Sequence, residues 1–193
     1  VIETARSIES QIGPVYGLVN NAALNPVVSV RGLDNSGVFE TYDPIDFARE
    51  WQVGLVGAVS CSQVFGHRMA MRQEGVIVNI ASELGLVAPN QGLYSPGQYK
   101  PFSYSVIKHG IIGLTRYCAS YWGQANVRVN ALAPGGVENN QPADFIARRS
   151  KLIPLGRMAQ PSEIVSGLMW LLDPENTYTT GAVISVDGGY TAW

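Results

Sequence analysis

Charge is scarce in this chain. Asp, Glu, Lys and Arg make up 15% of its 193 residues, and the formal net charge is −2. No basic surplus invites a nucleic acid, and none invites an acidic membrane surface. Cysteine is scarcer still: Cys61 and Cys118 fall in apolar helical patterns and lack C-x-x-C spacing. That usage fits a reduced, cytoplasmic chain. The two histidines, His67 and His109, have no companions at metal-ligand spacing, so no metal is expected. No apolar run reaches the length that spans a bilayer, and Val1-Ile2-Glu3-Thr4 resembles neither a signal peptide nor a transit peptide. Apolar residues, by contrast, reach 46%. They suffice for a single well-buried domain over residues 1–193. The chain starts inside a helical pattern with no Met and no lead-in, which suggests a fragment.

Periodicity divides the chain into alternating elements. Ile2, Ala5, Ile8 and Ile12 recur at helical spacing and stop at Gly13-Pro14. Val15–Val19 reads as a short buried strand ending in Asn20-Asn21-Ala22-Ala23. Residues 24–43 read as a loop, with Pro26, Gly32, Asn35 and Gly37. A long helix follows to about Met71, capped by Asp43 or Asp46, with Phe47, Trp51, Leu55 and Val59 on one face. Its small residues Gly54, Gly57, Ala58 and Ser60 allow another element close. Val76–Ala81 is a second strand and delivers Ser82 at its C-terminal end. Residues 83–102 form a loop rich in Pro, Gly and Tyr. A helix from Ser103 to about Trp122 carries Tyr104 and Lys108. Val127–Leu132 is a third strand, stopped by Pro134-Gly135-Gly136. A polar helical stretch (Ala143–Lys151), a helix capped at Ser162 and a last strand (Ala182–Val186) complete the chain. Continuous apolar strands separated by helices predict an α/β fold with a parallel sheet covered on both faces. Ligands collect at the C-terminal strand ends of such sheets, where Asn20-Asn21, Ser82 and Pro134-Gly135 stand.

Tyr104 and Lys108, four apart on a helix, share one face. A phenol with a pKa of about 10 is a poor base at neutral pH, and lowering it by about three units takes roughly 4 kcal/mol. One cation about 4 Å away supplies about that much at an effective dielectric near 20. The pair makes sense as a tuned proton donor and acceptor, although Tyr-x-x-x-Lys also occurs on ordinary helices.

With these motifs in order, the chain resembles a short-chain dehydrogenase/reductase along its whole length. Asn20-Asn21-Ala22-Ala23 is similar to the family's NNAG, which shapes the cofactor pocket and steadies the central strand. Ser82 matches the catalytic serine, and Tyr104 and Lys108 match the catalytic YxxxK. Pro134-Gly135, with Val137 beyond, matches the segment whose backbone faces the nicotinamide amide. Pro154-Leu155-Gly156-Arg157 and Asp187-Gly188-Gly189-Tyr190 match further structural signatures. The resemblance implies a doubly wound, Rossmann-type fold, NAD or NADP as cofactor, and hydride transfer to or from a carbonyl or secondary alcohol. Tyr104 would then pass the proton, Ser82 would hold the reacting oxygen, and Lys108 would lower the tyrosine pKa and bind the nicotinamide ribose. Asn20, Asn21, Ala22, Pro134, Gly135 and Val137 would contact the cofactor. The plainer alternative for Ser82 is a serine bonding its own backbone; for the asparagines it is turn chemistry.

Two departures stand out. The family's TGxxxGxG loop is missing, so this is expected to be the C-terminal part of the fold, with the first two βα units preceding Val1. Aligning Gln52–Gly57 puts Gly54 where the family has the asparagine of its proton relay. That reads either as an altered proton path or as a backbone carbonyl and water compensating. The long insertion before Tyr104, with Tyr94, Tyr99 and three prolines, and the segments 110–115 and 134–142 resemble a bacterial branch named for flagellin modification and tied to nonulosonic-acid sugars. A sugar or sugar-phosphate substrate follows, for which Arg148, Arg149 and Lys151 are phosphate or carboxylate partners; a solvated face is the alternative for at least two of them. Extended epimerases carry a larger C-terminal domain, and enoyl reductases space the tyrosine and lysine differently. A non-catalytic homologue or assembly subunit is the alternative function. The family pairs the helices at about 46–71 and 103–122 between subunits, which implies a homodimer or homotetramer.

Overall fold

The computed structural model describes residues 1–29, 32–33 and 37–193. The elements run α1 (Ile2–Gln11), β1 (Gly17–Asn20), β2 (Val28–Ser29), β3 (Gly32–Leu33), α2 (Pro44–Trp51), α3 (Gly57–Arg72), β4 (Gly75–Ile80), α4 (Phe102–Trp122), β5 (Val127–Pro134), α5 (Ala143–Ser150), α6 (Pro161–Leu172) and β6 (Val183–Val186). The Val- and Ile-rich runs pair side by side as one sheet in the order β1-β4-β5-β6, with every pairing parallel. Alternate residues of a strand point to opposite faces, and both faces are apolar here. Ile77 and Val129 pack against α3 and α4 through Phe65, Met69 and Cys118. Val76, Val78 and Leu132 pack against Leu171, Ile164 and Leu168 of α6. This is the two-sided burial that a parallel sheet requires.

Several boundaries differ from the sequence reading, each for a physical reason. The first strand sits at Gly17–Asn20 rather than starting at Val15, because the register runs from Gly17 opposite Val76 to Asn20 opposite Asn79. The third strand continues to Pro134, held by pairing with β6 through Pro134 opposite Val186. Proline can end a strand in this way because it lacks only a donor. The last helix is not capped by Ser162: it begins at Pro161 behind a Gln160/Glu163 capping box. Proline suits a first helical turn, and Glu163 accepts from the Gln160 backbone N–H at 2.8 Å. The expected loop at 24–43 contains the antiparallel pair β2–β3 and a short 3-10 turn at Phe39–Thr41; Asn35 lies outside the described residues.

The long helix is interrupted. Asp43 caps α2 by accepting from the Ile45 N–H at 2.8 Å, and a π-helical turn over Gln52–Val56 joins α2 to α3. Within that turn Gly54 faces Ile107 of α4; a Cβ there would lie 2.8 Å from Ile107 Cγ2. The arrangement is reciprocal, since a Cβ on Gly110 of α4 would lie 2.8 Å from Leu55 Cδ2. The two glycines let α4 close onto the earlier helix, and so fix where the start of α4 meets the sheet.

Candidate active site

A cavity of about 730 Å³ opens at the C-terminal strand ends, where the fold leaves polar backbone and loop residues. Ser82 reaches it directly after β4, while Tyr104 and Lys108 reach it from the first two turns of α4. Asn21, Pro134, Gly135 and Val137 line it too. Two residues named in the sequence do not. Asn20 turns inward, donating to Asn79 Oδ1 at 2.7 Å and to Ser62 Oγ at 3.0 Å. Ala22 lies outside the cavity wall. Gly135 is a place where only glycine fits: a Cβ would stand 2.6 Å from Asp187 Cα and 3.1 Å from Glu83 Oε2.

The electrostatics differ from the simple tyrosine–lysine picture. Lys108 is buried and its Nζ donates to the Ile80 carbonyl at 2.7 Å, leaving it 5.6 Å from the centre of the Tyr104 ring. Burial pushes its pKa down to about 8. Burial also pushes the Tyr104 phenol above its ordinary value; the neighbouring Ser82 hydroxyl pulls it back, and the Glu83 carboxylate pushes it further up. Desolvation thus outweighs the lowering expected from Lys108, because the ammonium is spent on a carbonyl and stands back from the ring. Ser82 shows the plain behaviour and the functional placement together: its Oγ accepts from the Leu84 N–H at 3.1 Å while facing the cavity.

Three residues that sequence reasoning missed or underused complete the wall. Glu83, next to Ser82, is buried and ion-paired with Arg149 of α5. The Arg149 guanidinium also lies 4.0 Å from the centre of the Tyr190 ring. Burial, first, raises the Glu83 pKa to about 7; Arg149 lowers it and Asp187 raises it. Of the three basic residues around α5, only Arg149 enters the cavity. Arg148 bonds Asp144 at 2.7 Å along its own helix, and Lys151 is exposed. The third is Lys100, from the Pro-rich insertion, whose ammonium sits 4.2 Å from the Tyr104 ring centre and bonds Asn25 Oδ1. Its adjacency to Pro101 and Tyr104 in sequence was the available signal. At Gly54, which the sequence aligns by Gln52–Gly57 with the expected relay position, Ile107 fills the space a side chain would need. Among the described residues no cluster of three His, Cys, Asp or Glu could hold a metal, and no helix is long and apolar enough to cross a membrane.

A family model described as Enoyl-(Acyl carrier protein) reductase matches residues 1–191. Among curated proteins, galactitol 2-dehydrogenase (L-tagatose-forming) from Cereibacter sphaeroides is 33% identical over 98% of this chain and 71% of its own length. The 3-oxoacyl-acyl-carrier-protein reductase FabG from Thermotoga maritima is 31% identical over 97% of this chain and 70% of its own. Among solved structures, a short chain dehydrogenase from Leptospira borgpetersenii with bound NAD+ superimposes with a TM-score of 0.86 at 31% identity. It covers 98% of this chain, which spans 70% of it.

Proposed function

Because the chain belongs to the short-chain dehydrogenase/reductase family, we propose that its protein transfers hydride between NAD or NADP and a carbonyl or secondary alcohol, with Tyr104 as acid and base. The observation that carries this reading is the convergence of Ser82, Tyr104 and Lys108 on one cavity at the C-terminal strand ends. The wall fits a nicotinamide nucleotide by its chemistry. Asn21 and Lys108 are polar groups at one side, and Pro134, Gly135 and Val137 bring backbone close where a side chain at 135 would collide. Asn20 and Ala22 would act behind that wall, Asn20 by holding the strand end. When bound, the nicotinamide would supply or accept the hydride.

In the reducing direction the Tyr104 hydroxyl gives its proton to the substrate oxygen as the carbonyl carbon gains hydride; in oxidation it takes that proton back. The Ser82 hydroxyl donates a hydrogen bond to the same oxygen and fixes its distance from Tyr104. The raised pKa of Tyr104 suits the protonated, donating state. Lys108, charged below about pH 8, provides a donor at the ribose side. The substrate we propose is a sugar, a sugar-phosphate derivative or a related polyol. Support comes from the galactitol dehydrogenase among the relatives and from a cavity lined by Lys100, Arg149, Asn139 and Gln141. A cytoplasmic homodimer or homotetramer belongs to the same proposal, supported by small and exposed residues on α3 and α4.

Tyr104→Phe in the full-length protein tests the reading. Turnover, followed by NAD(P)H absorbance with polyols and their ketoses, should fall about 10²–10⁴-fold. Unchanged turnover would overturn Tyr104 as acid and base, whereas no turnover in the unaltered full-length protein would support the non-catalytic alternative.

A further inference from the structure

The insertion before α4 brings a second lysine to the acid–base site. Lys100 is buried, its Nζ lies 4.2 Å from the centre of the Tyr104 ring, and it lines the same cavity. Lys108, the expected partner, is 5.6 Å from that centre and donates to the Ile80 carbonyl. Lys100 is also firmly placed. Its backbone N–H donates to Gln91 Oε1 at 2.8 Å, and Gln91 Nε2 donates back to the Lys100 carbonyl at 3.3 Å. Asn25 Oδ1 receives its ammonium. A two-sided amide clamp on the backbone and a bonded head group over an aromatic ring make a fixed cation, where a solvent-seeking lysine would instead extend outward.

We propose that Lys100 is a positioning residue of the acid–base site, its ammonium holding the phenolate form of Tyr104 from the face of the ring. A cation over a tyrosine ring is attracted to its π face. It gains more from that ring once the phenol has lost its proton, because the negative charge spreads into the ring. Among the described residues, the charged and titratable groups around Tyr104 divide by sign. Lys108 on its own helix and Lys100 on the insertion favour the phenolate. Glu83 after β4 opposes it, and Arg149 of α5 offsets Glu83 by pairing with it, while the Tyr94 phenol, pushed up to about 12, stays neutral. Asp187, at the turn after β6, bears on Glu83. Among these cations Lys100 stands nearer the ring centre than Lys108.

The proposal rests on the reading of Tyr104 as acid and base, and the experiment separates the two. In full-length protein, the pH profile of kcat in the oxidising direction is measured for wild type, Lys100→Met and Lys100→Arg. Lys100→Met should move the limb on which Tyr104 loses its proton upward by about one unit, the smaller end of what one nearby charge gives. Lys100→Arg, which keeps the charge, should restore most of the wild-type position. A fall in kcat at every pH without a moved limb would overturn the proposal, as would equal shifts in Met and Arg variants. A second readout needs no turnover: ultraviolet tyrosinate titration of each protein against its own Tyr104→Phe counterpart isolates the Tyr104 transition. No difference between wild type and Lys100→Met in that transition also overturns the proposal. Absence of activity on every polyol or ketose, with the titration shift present, would count against the substrate reading and leave the role of Lys100 supported.

Discussion

Glu83 and Arg149 stand 66 positions apart and meet with both side chains almost fully buried. Burial lifts the Glu83 pKa from 4.5 to about 7, so the folded state holds this proton more tightly than the unfolded chain. Its contribution favours the fold below about pH 4.5 and is lost as pH rises through about 7. Arg149 works against that rise, and removing it leaves an unpaired carboxylate in a dry site. Arg149→Met should therefore cost about 3 kcal/mol at about pH 8, as breaking a buried pair does. The cost should shrink at about pH 5, where Glu83 is neutral with or without its partner. Urea unfolding at both pH values decides it; an equal cost at both refutes the coupling. The residues that sequence reading found and those it missed differ in one respect. Ser82, Tyr104 and Lys108 are set by one strand end and one helix, so spacing alone reveals them. Glu83 and Lys100, which sequence reading missed, and Arg149, which it named only as a phosphate or carboxylate partner, find their contacts only when α5 and the insertion fold over the strand ends.

At the scale of elements, the contact between the π-helical turn and α4 positions the helix that carries Tyr104 and Lys108. The small residues around Gly54 were a legible sign of close approach, but their partner and the wide turn itself were not, since a π turn needs no particular residue type. The two glycines differ in what a methyl group would meet. At Gly54 it would strike Ile107 Cγ2, a branch fixed to the β-carbon with little rotamer freedom in a helix. At Gly110 it would strike the far end of Leu55, which can rotate. Gly54→Ala should therefore cost about 1–3 kcal/mol through overpacking. Gly110→Ala should be nearly neutral, because alanine recovers about 1 kcal/mol of helix propensity. Chemical denaturation of both variants gives the comparison, and a larger loss at Gly110 would contradict this packing. Gly54→Asn, which would place a larger side chain there, should be disfavoured for the same reason unless Ile107 is made smaller.

Across the whole molecule, a buried polar chain ties the sheet to its helices. Asn79 in β4 accepts from Asn20 of β1 and donates to Thr115 of α4 at 2.9 Å, and Thr115 donates onward to the Ile111 carbonyl at 2.8 Å. The apolar strands announced the sheet in the sequence, but Asn79 within Val76–Ala81 gave no hint of this link, because its partners lie on other elements. Asn79 and Thr115 are both fully buried, so every lost bond leaves a group that water cannot reach. Thr115→Val keeps the shape and strands the Asn79 amide, and should cost about 1–3 kcal/mol. Asn79→Leu removes that donor together with the acceptor of Asn20, whose neighbour Asn21 lines the cavity. The two variants should therefore separate stability from binding. Both should lower the urea midpoint, and their double mutant should lose less than the sum, since the shared bond can be lost only once. Only Asn79→Leu should also weaken binding of NAD(H) or NADP(H) to the full-length protein, measured by calorimetry, because it alone loosens the strand end beside Asn21. If Thr115→Val weakens binding as much, the network acts through α4 and Tyr104, and the strand-end account of Asn20 and Asn21 is wrong.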